Sequence, residues 1–95
     1  MLNLRIILAD DHTLLRQGLA LLVSKQASLQ VVGEAGDGAE LIGLVRTCKP
    51  DLVVVDLSMP GMGGLEATRR LKAEFPKLRI IVLTMHEDAS YLTGV

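Results

Sequence analysis

The apolar positions along the chain form one pattern that is typical of buried strands. Residues 5–9, 52–56 and 79–84 are short runs rich in β-branched side chains, with no alternation of polar and apolar positions inside them. Such runs are typical of strands that are covered on both faces of a parallel sheet. Residues 29–35 form a weaker and more polar run, which is typical of an edge strand. The sequence therefore predicts four strands.

A helical period occupies the intervals between these runs. It predicts helices over residues 13–25, 39–49, 65–75 and 88–95. The positions expected to face the core of the first helix are Leu14, Leu15, Gly18, Leu19 and Leu22. Those of the second helix are Leu41, Leu44, Val45 and Cys48, and those of the third are Leu65, Thr68, Leu71 and Phe75. Asp37 and Glu40 have the spacing of a capping box before the second helix.

Strands that alternate with helices predict a fold class. Short crossovers between strands buried on both faces indicate a doubly wound parallel α/β sheet, in one domain over residues 1–95. In such sheets the functional crevice lies outside the carboxyl ends of the strands. The search for chemistry therefore starts with the residues that directly follow each strand.

Three carboxylates lie at these strand ends. Asp10 and Asp11 follow the first strand, Asp56 ends the third, and Thr84 ends the fourth. Anions packed together repel one another, and a hard divalent cation such as Mg²⁺ relieves that repulsion. The alternative is that each aspartate caps a helix or lies in a solvated loop. That alternative is the better account of any one aspartate and the poorer account of all three.

Composition and missing motifs exclude several other classes of function. The net charge is −1 and only 2% of residues are aromatic, which disfavours nucleic-acid and anionic-membrane partners. The turn after the first strand has no glycine, so neither a dinucleotide-binding nor a Walker loop is present there. His12 and His86 lie at strand ends and could reach a metal, but two distant histidines without cysteine support are better interpreted as surface residues. The single cysteine, Cys48, is interpreted as a core residue.

Cysteine content and the lack of targeting or membrane-spanning patterns indicate the cellular compartment. A lone cysteine fits a reducing compartment and excludes a multi-cysteine zinc site. The first ten residues do not have the pattern of a signal peptide, and no apolar run reaches the length of about 20 residues that a membrane span needs. We therefore expect a cytoplasmic setting and no membrane partner.

The strand-end motifs together resemble a known family. They are Leu8-Ala-Asp-Asp-His12, Asp56-Leu-Ser-Met-Pro-Gly61, Gly64-Leu-Glu-Ala-Thr68 and Leu83-Thr-Met-His86. In this order they are similar to the receiver domain of bacterial two-component response regulators, in particular the NarL/FixJ type. The resemblance covers the whole chain. It implies a flavodoxin-like sheet with the strand order 2-1-3-4-5.

The resemblance also implies roles for individual residues. Asp56 corresponds to the phosphoacceptor, which would take a phosphoryl group from a histidine kinase. Mg²⁺ would be held by Asp10, Asp11, Asp56 and the backbone carbonyl of Ser58, with Asp11 as a direct ligand and Asp10 acting through water. Thr84 corresponds to the hydroxyl that turns inward to bind the phosphoryl group. Such a domain is a signalling switch and not an enzyme with turnover, and a Mg²⁺-dependent phosphatase is less favoured because no general acid lies next to Asp56 in sequence.

Two departures from the family pattern modify these expectations. Gly63 stands where the family usually has a capping aspartate before the third helix. The chain covers four of the usual five βα units, and none of its lysines takes the position at the end of a fifth strand. We therefore expect an incomplete domain that acts on DNA only through a further C-terminal helix-turn-helix domain.

The alternative function is a phosphorylation-impaired module for protein interaction or dimerisation. An exposed fourth strand would favour a homodimer or an oligomer that exchanges a strand or helix.

Overall fold

The computed structural model describes residues 3–83, in which strands and helices alternate. The strands are β1 (Leu4–Ala9), β2 (Leu29–Ala35), β3 (Leu52–Asp56) and β4 (Arg79–Leu83). The helices are α1 (Thr13–Ser24), α2 (Gly38–Cys48) and α3 (Gly64–Glu74). Each agrees with a predicted element to within one or two residues at its ends. The helix predicted over residues 88–95, together with Thr84 and His86, lies outside the described residues.

The four strands form one parallel sheet in the order β2-β1-β3-β4. The chain passes from β1 to β2 on one side and then returns to place β3 on the other side of β1. The doubly wound flavodoxin-like fold is therefore confirmed, and β2 lies at an edge as its polar pattern predicts. The change of direction between β1 and β3 brings the ends of these two strands together.

Most of the core lies between the sheet and the pair of helices α2 and α3. Its largest fully buried apolar side chains are Ile7, Leu41, Leu71, Val45, Val53 and Val55. Aliphatic residues of the central strands meet the apolar stripes of these two helices, and α2 also packs against α3. A bidentate ion pair between Arg46 of α2 and Glu74 of α3 joins the two helices on their exposed side. The central strands are thus held firmly below their carboxyl ends.

The face predicted for α1 is wrong in part. No residue of α1 is fully buried, and Leu14, expected in the core, is 85% exposed. Leu15 and Leu19 are half-buried, but Gly18 and Leu22 are exposed. Because α1 packs against β2 and β1, its sheet-facing side is the one that carries Leu15, Leu19 and Val23. The helix is apolar on more than one side, so its sequence period does not identify the buried one.

The turns that begin α2 and α3 are built differently. The Asp37 carboxylate accepts a hydrogen bond from the Glu40 N–H at 2.8 Å, which confirms the predicted cap of α2. The Gly63 cap of α3 offers no side-chain acceptor, as its sequence predicts. In α3, Ala67 and Leu71 are buried, whereas Leu65 is exposed and not inward as expected. Within residues 3–83 no helix has the length and apolarity needed to cross a membrane.

Candidate functional site

The carboxyl ends of β1 and β3 bring the strand-end carboxylates together. One ligand atom from each of Asp10, Asp11, His12 and Asp56 lies within 4.8 Å of the others. Asp10 is only 5% exposed and Asp56 only 1%, whereas Asp11 is exposed at the rim. Hydrophobic strands β1 and β3 lie directly below the two buried carboxylates, so the sheet presents them as a fixed pair.

Asp56 is held by the turn that follows it. The Ser58 N–H donates to Asp56 Oδ1 at 3.1 Å, and the Ser58 hydroxyl donates to Asp56 Oδ2 at 2.8 Å. Both contacts orient the carboxylate, so this serine contributes more than the backbone carbonyl that the sequence suggests. The turn reverses at Gly61, whose positive φ of 66° suits a residue without a Cβ.

Two close backbone approaches fix the same turn. The first residue of α3, Gly64, lies so near the Asp56 carbonyl oxygen and Leu57 that a Cβ would have no room. The N–H of Gly38, the first residue of α2, donates to the Met62 carbonyl oxygen at 3.0 Å, and this glycine likewise has no space for a Cβ. Met59 is buried under the turn as part of the core, and the half-buried Met62 packs against the core. The turn after β3 is therefore clamped between two helix starts.

His12 is exposed, as its interpretation as a surface residue predicts, but its ring also belongs to the cluster. Its backbone N–H donates to Asp10 Oδ1 at 2.8 Å, and its ring Nδ1 lies 2.7 Å from the same oxygen. The ring Nδ1 is also 3.2 Å from Asp11 Oδ1 and 3.8 Å from Asp56 Oδ2. The hydrogen bond with Asp10, followed by the charge of Asp11, raises the pKa of His12 above its usual value of 6.5. The neighbouring carboxylates thus favour the protonated form of this imidazole.

The donor set fits a hard divalent cation. Among the described residues, no lysine or arginine side chain forms an ion pair with Asp10, Asp11 or Asp56, and His12 is their single basic partner. Burying a carboxylate is costly unless a cation or hydrogen bonds compensate it. Carboxylate oxygens from two strand ends are the ligands that Mg²⁺ prefers. The site therefore has the charge and the ligand type for this ion.

The remaining predicted residues take different places. Thr84 and His86 lie outside the described residues, and their roles stay predictions. Cys48 is half-buried in α2 and packs against the core, with its Sγ 3.8 Å from the Val32 carbonyl oxygen, which agrees with a structural role. Arg16, which the sequence interpretation did not single out, reaches the carbonyl oxygen of Asp10 from α1.

The chain is similar to known proteins along most of its length. The family model of the response regulator receiver domain matches residues 6–95. The transcriptional regulatory protein YhcZ of Bacillus subtilis is 42% identical over 89 residues, which are 94% of this chain and 42% of that protein. The oxygen regulatory protein NreC of Staphylococcus haemolyticus is 41% identical over 93 residues, which are 97% of this chain and 43% of that protein. The chain thus spans about two fifths of the length of these curated relatives.

Solved structures give the same result. A two-component response regulator of the LuxR family from Aurantimonas has a TM-score of 0.86 and 40% identity, covering 96% of this chain and 65% of that one. The isolated receiver domain of RcsB from Salmonella enterica, solved in the presence of the phosphomimetic BeF3⁻, has a TM-score of 0.85 and 34% identity. That match covers 97% of this chain and 69% of the RcsB domain chain. The structural similarity therefore extends over nearly the whole chain.

Proposed function

The chain belongs to the response regulator receiver domain family, and we propose that it accepts a phosphoryl group on the Asp56 carboxylate in two-component signalling. The observation that carries this proposal is the setting of Asp56. Its carboxylate is buried at the end of β3, both of its oxygens are held by Ser58, and Asp10 and Asp11 lie beside it. A nucleophile held in one orientation is what an in-line transfer of a phosphoryl group requires.

We further propose that Asp10, Asp11, Asp56 and the backbone carbonyl of Ser58 hold Mg²⁺. The cluster of three carboxylates supports the ion, because two of them are buried and, within residues 3–83, His12 is their only basic partner. When bound, Mg²⁺ supplies positive charge that offsets the negative charge of the carboxylates and of the phosphoryl group. The imidazole of His12 is hydrogen-bonded to the Asp10 carboxylate, so we expect this contact to loosen if the carboxylates hold a cation.

The transfer itself is a substitution at phosphorus. An Asp56 carboxylate oxygen attacks the phosphoryl group carried by a histidine of the kinase, and an O–P bond forms while the N–P bond breaks. The electron pair of the broken bond stays on the kinase imidazole. Ser58 keeps the carboxylate oriented during this step, and the Thr84 hydroxyl is proposed to bind the transferred group. One transfer per donor makes the domain a switch rather than an enzyme with turnover.

The partners follow from the same proposal. A histidine kinase is the proposed donor, and a second copy of the chain is a proposed partner in a dimer. The relatives YhcZ and DegU are described as transcriptional regulatory proteins, and each is more than twice as long as the matched segment. By that analogy we propose that the domain controls transcription when it is joined to a DNA-binding domain.

A small phosphodonor tests the proposal. The 95-residue chain is incubated with acetyl phosphate and Mg²⁺, and its intact mass and its peptides are measured by mass spectrometry. We expect one phosphoryl group on Asp56, which is lost in Asp56→Asn and in the presence of a chelator. Asp51→Asn is the matched control, because Asp51 lies just before β3 at the opposite, exposed end of the strand. Equal labelling of wild type and Asp56→Asn would contradict the assignment, and no labelling of either would favour the pairing module instead.

A further inference from the structure

Arg16 connects three parts of the chain just behind the carboxylate cluster. Its Nη1 donates to the carbonyl oxygen of Asp10 and, at 3.4 Å, to that of Ala35. Its Nε donates to the Glu34 carboxylate at 3.1 Å. The side chain is only 17% exposed although it belongs to a helix without any fully buried residue. Because its guanidinium donates to backbone carbonyl oxygens, Arg16 can hold these backbone groups in place, which a solvated surface arginine cannot do.

Both backbone groups of Asp10 are hydrogen-bonded, and Arg16 binds one of them. The Asp10 N–H donates to the Ala35 carbonyl oxygen at 2.9 Å, and the Asp10 carbonyl oxygen accepts from Arg16. The carbonyl belongs to the peptide group that joins Asp10 to Asp11. If that peptide rotates, the side chains of both aspartates move relative to Asp56 on the neighbouring strand. Without Arg16, the Asp10 backbone keeps among the described residues only the bond from its N–H to Ala35, which lies in the preceding peptide group.

The turn after β2 holds the guanidinium in place. A Cβ on Gly36 would lie 3.5 Å from Arg16 Nη1, so the guanidinium sits directly against this glycine. The Gly36 N–H donates to the Glu40 carboxylate at 2.7 Å, which ties the same turn to the start of α2. Arg16 therefore rests on a turn that is itself anchored, and it can transmit that rigidity to the Asp10–Asp11 peptide.

We propose that Arg16 is a positioning residue for the divalent-cation site, which keeps Asp10 and Asp11 in the geometry that binds Mg²⁺. This inference rests on the proposed function, because it assumes that the carboxylate cluster binds the ion. Residues that orient metal ligands without touching the metal change affinity by about 10- to 100-fold when they are replaced. Arg16 acts here through the backbone of its ligands and not through their side chains.

Electrostatics alone predicts the opposite sign, which makes the proposal testable. A positive charge near the cluster repels Mg²⁺, so removing it without any change of geometry would tighten cation binding. If Arg16 positions the ligands, removing it weakens binding even though a repulsive charge has been lost. A purely structural role would lower stability and leave the affinity of the folded fraction unchanged.

Isothermal titration calorimetry with MgCl₂ on the 95-residue chain and its variants separates these cases. Arg16→Met is expected to weaken Mg²⁺ binding about tenfold or more. Arg16→Lys is expected to bind more weakly than wild type, because one ammonium cannot reproduce the forked contacts of a guanidinium. Arg70→Met is the matched control, since it removes one arginine that pairs with Glu66 on the exposed surface of α3. It should bind like wild type.

Further measurements distinguish a loss of folding, a loss of ligand positioning and the absence of a metal site. Far-UV circular dichroism and unfolding in the absence of Mg²⁺ report the folded fraction of every variant, and affinities are compared for folded protein only. If Arg16→Met does not fold, Arg16→Lys decides. Mg²⁺ binding as tight as or tighter than wild type in the deciding variant overturns the positioning role. An absence of Mg²⁺ binding by wild type, or unchanged binding by Asp11→Asn, instead overturns the proposed metal site and with it this inference.

Discussion

Two glycine-to-alanine replacements in helices should change stability in opposite directions. At Gly64 a Cβ would collide with the Asp56 carbonyl oxygen and would lie 2.9 Å from Leu57 Cα. These are backbone atoms, so the loop after β3 has to shift, and overpacking of this kind costs about 1–3 kcal/mol. Gly43, in the exposed middle of α2, has no neighbour within 4 Å of its Cβ position. Alanine there should stabilise the fold by about 0.5–1 kcal/mol.

Urea unfolding followed by circular dichroism measures both changes in one experiment. Gly64→Ala should lower the free energy of unfolding by about 1–2 kcal/mol, because the gain from a less flexible unfolded chain offsets only part of the clash. For a domain of this size, each 1 kcal/mol shifts Tm by roughly 4–8 °C. Because the clash lies at Asp56, the folded Gly64→Ala protein should also label less with acetyl phosphate, whereas Gly43→Ala should label normally. A stabilised Gly64→Ala variant would refute the close approach.

Two further changes test the helix ends and the joint between α2 and α3. Gly63→Asp should raise the free energy of unfolding measured in urea by about 0.5–1 kcal/mol. The reason is that Gly63 has the extended backbone of a cap, and a Cβ there would have ordinary contacts of 3.7 Å. A lower stability of this variant would contradict the predicted cap. The Arg46 hydrogen bond lowers the pKa of Glu74 below 4.5, so their pairing stabilises the fold above that pH and is lost as the pH falls through the lowered pKa. We therefore expect wild type and Arg46→Met to differ in their free energy of unfolding at neutral pH, and this difference should become smaller at acidic pH. A difference that does not change with pH would argue against the ion pair.

The sheet and the carboxylates could be predicted because both depend on local patterns. Strands buried on both faces are apolar without interruption, and β1 and β3 show this directly in the sequence. Once the sheet is parallel, its carboxyl ends lie at one edge, so the aspartates that follow β1 and β3 must be neighbours. The caps of α2 and α3 were equally local, since each depends on a residue at the first helical turn.

The buried side of α1 could not be predicted in the same way. Its sequence has leucines on several sides, and the sheet covers only the side that carries Leu15 and Leu19. Which side is covered depends on how the helix crosses β1 and β2, and that crossing is set by tertiary contacts. Arg16 lies beside Leu15 on this half-buried side, so the error in the helix face also concealed the arginine behind the cluster.

The contacts behind the cluster depend on a single irregularity in the sheet. Ile6 pairs with Val31, but the next residue of β1, Ile7, pairs with Gly33, so one residue of β2 is skipped. This shift brings Ala9 opposite Ala35, whose carbonyl oxygen then accepts from both Asp10 and Arg16. A regular register would place Glu34 opposite Ala9, because a slip of one residue moves each side chain to the other face. A carboxylate would then stand where Ala35 is fully buried. The bulge therefore keeps the Glu34 carboxylate out of the core. It also places the Ala35 carbonyl oxygen where it accepts the hydrogen bond from the Asp10 N–H.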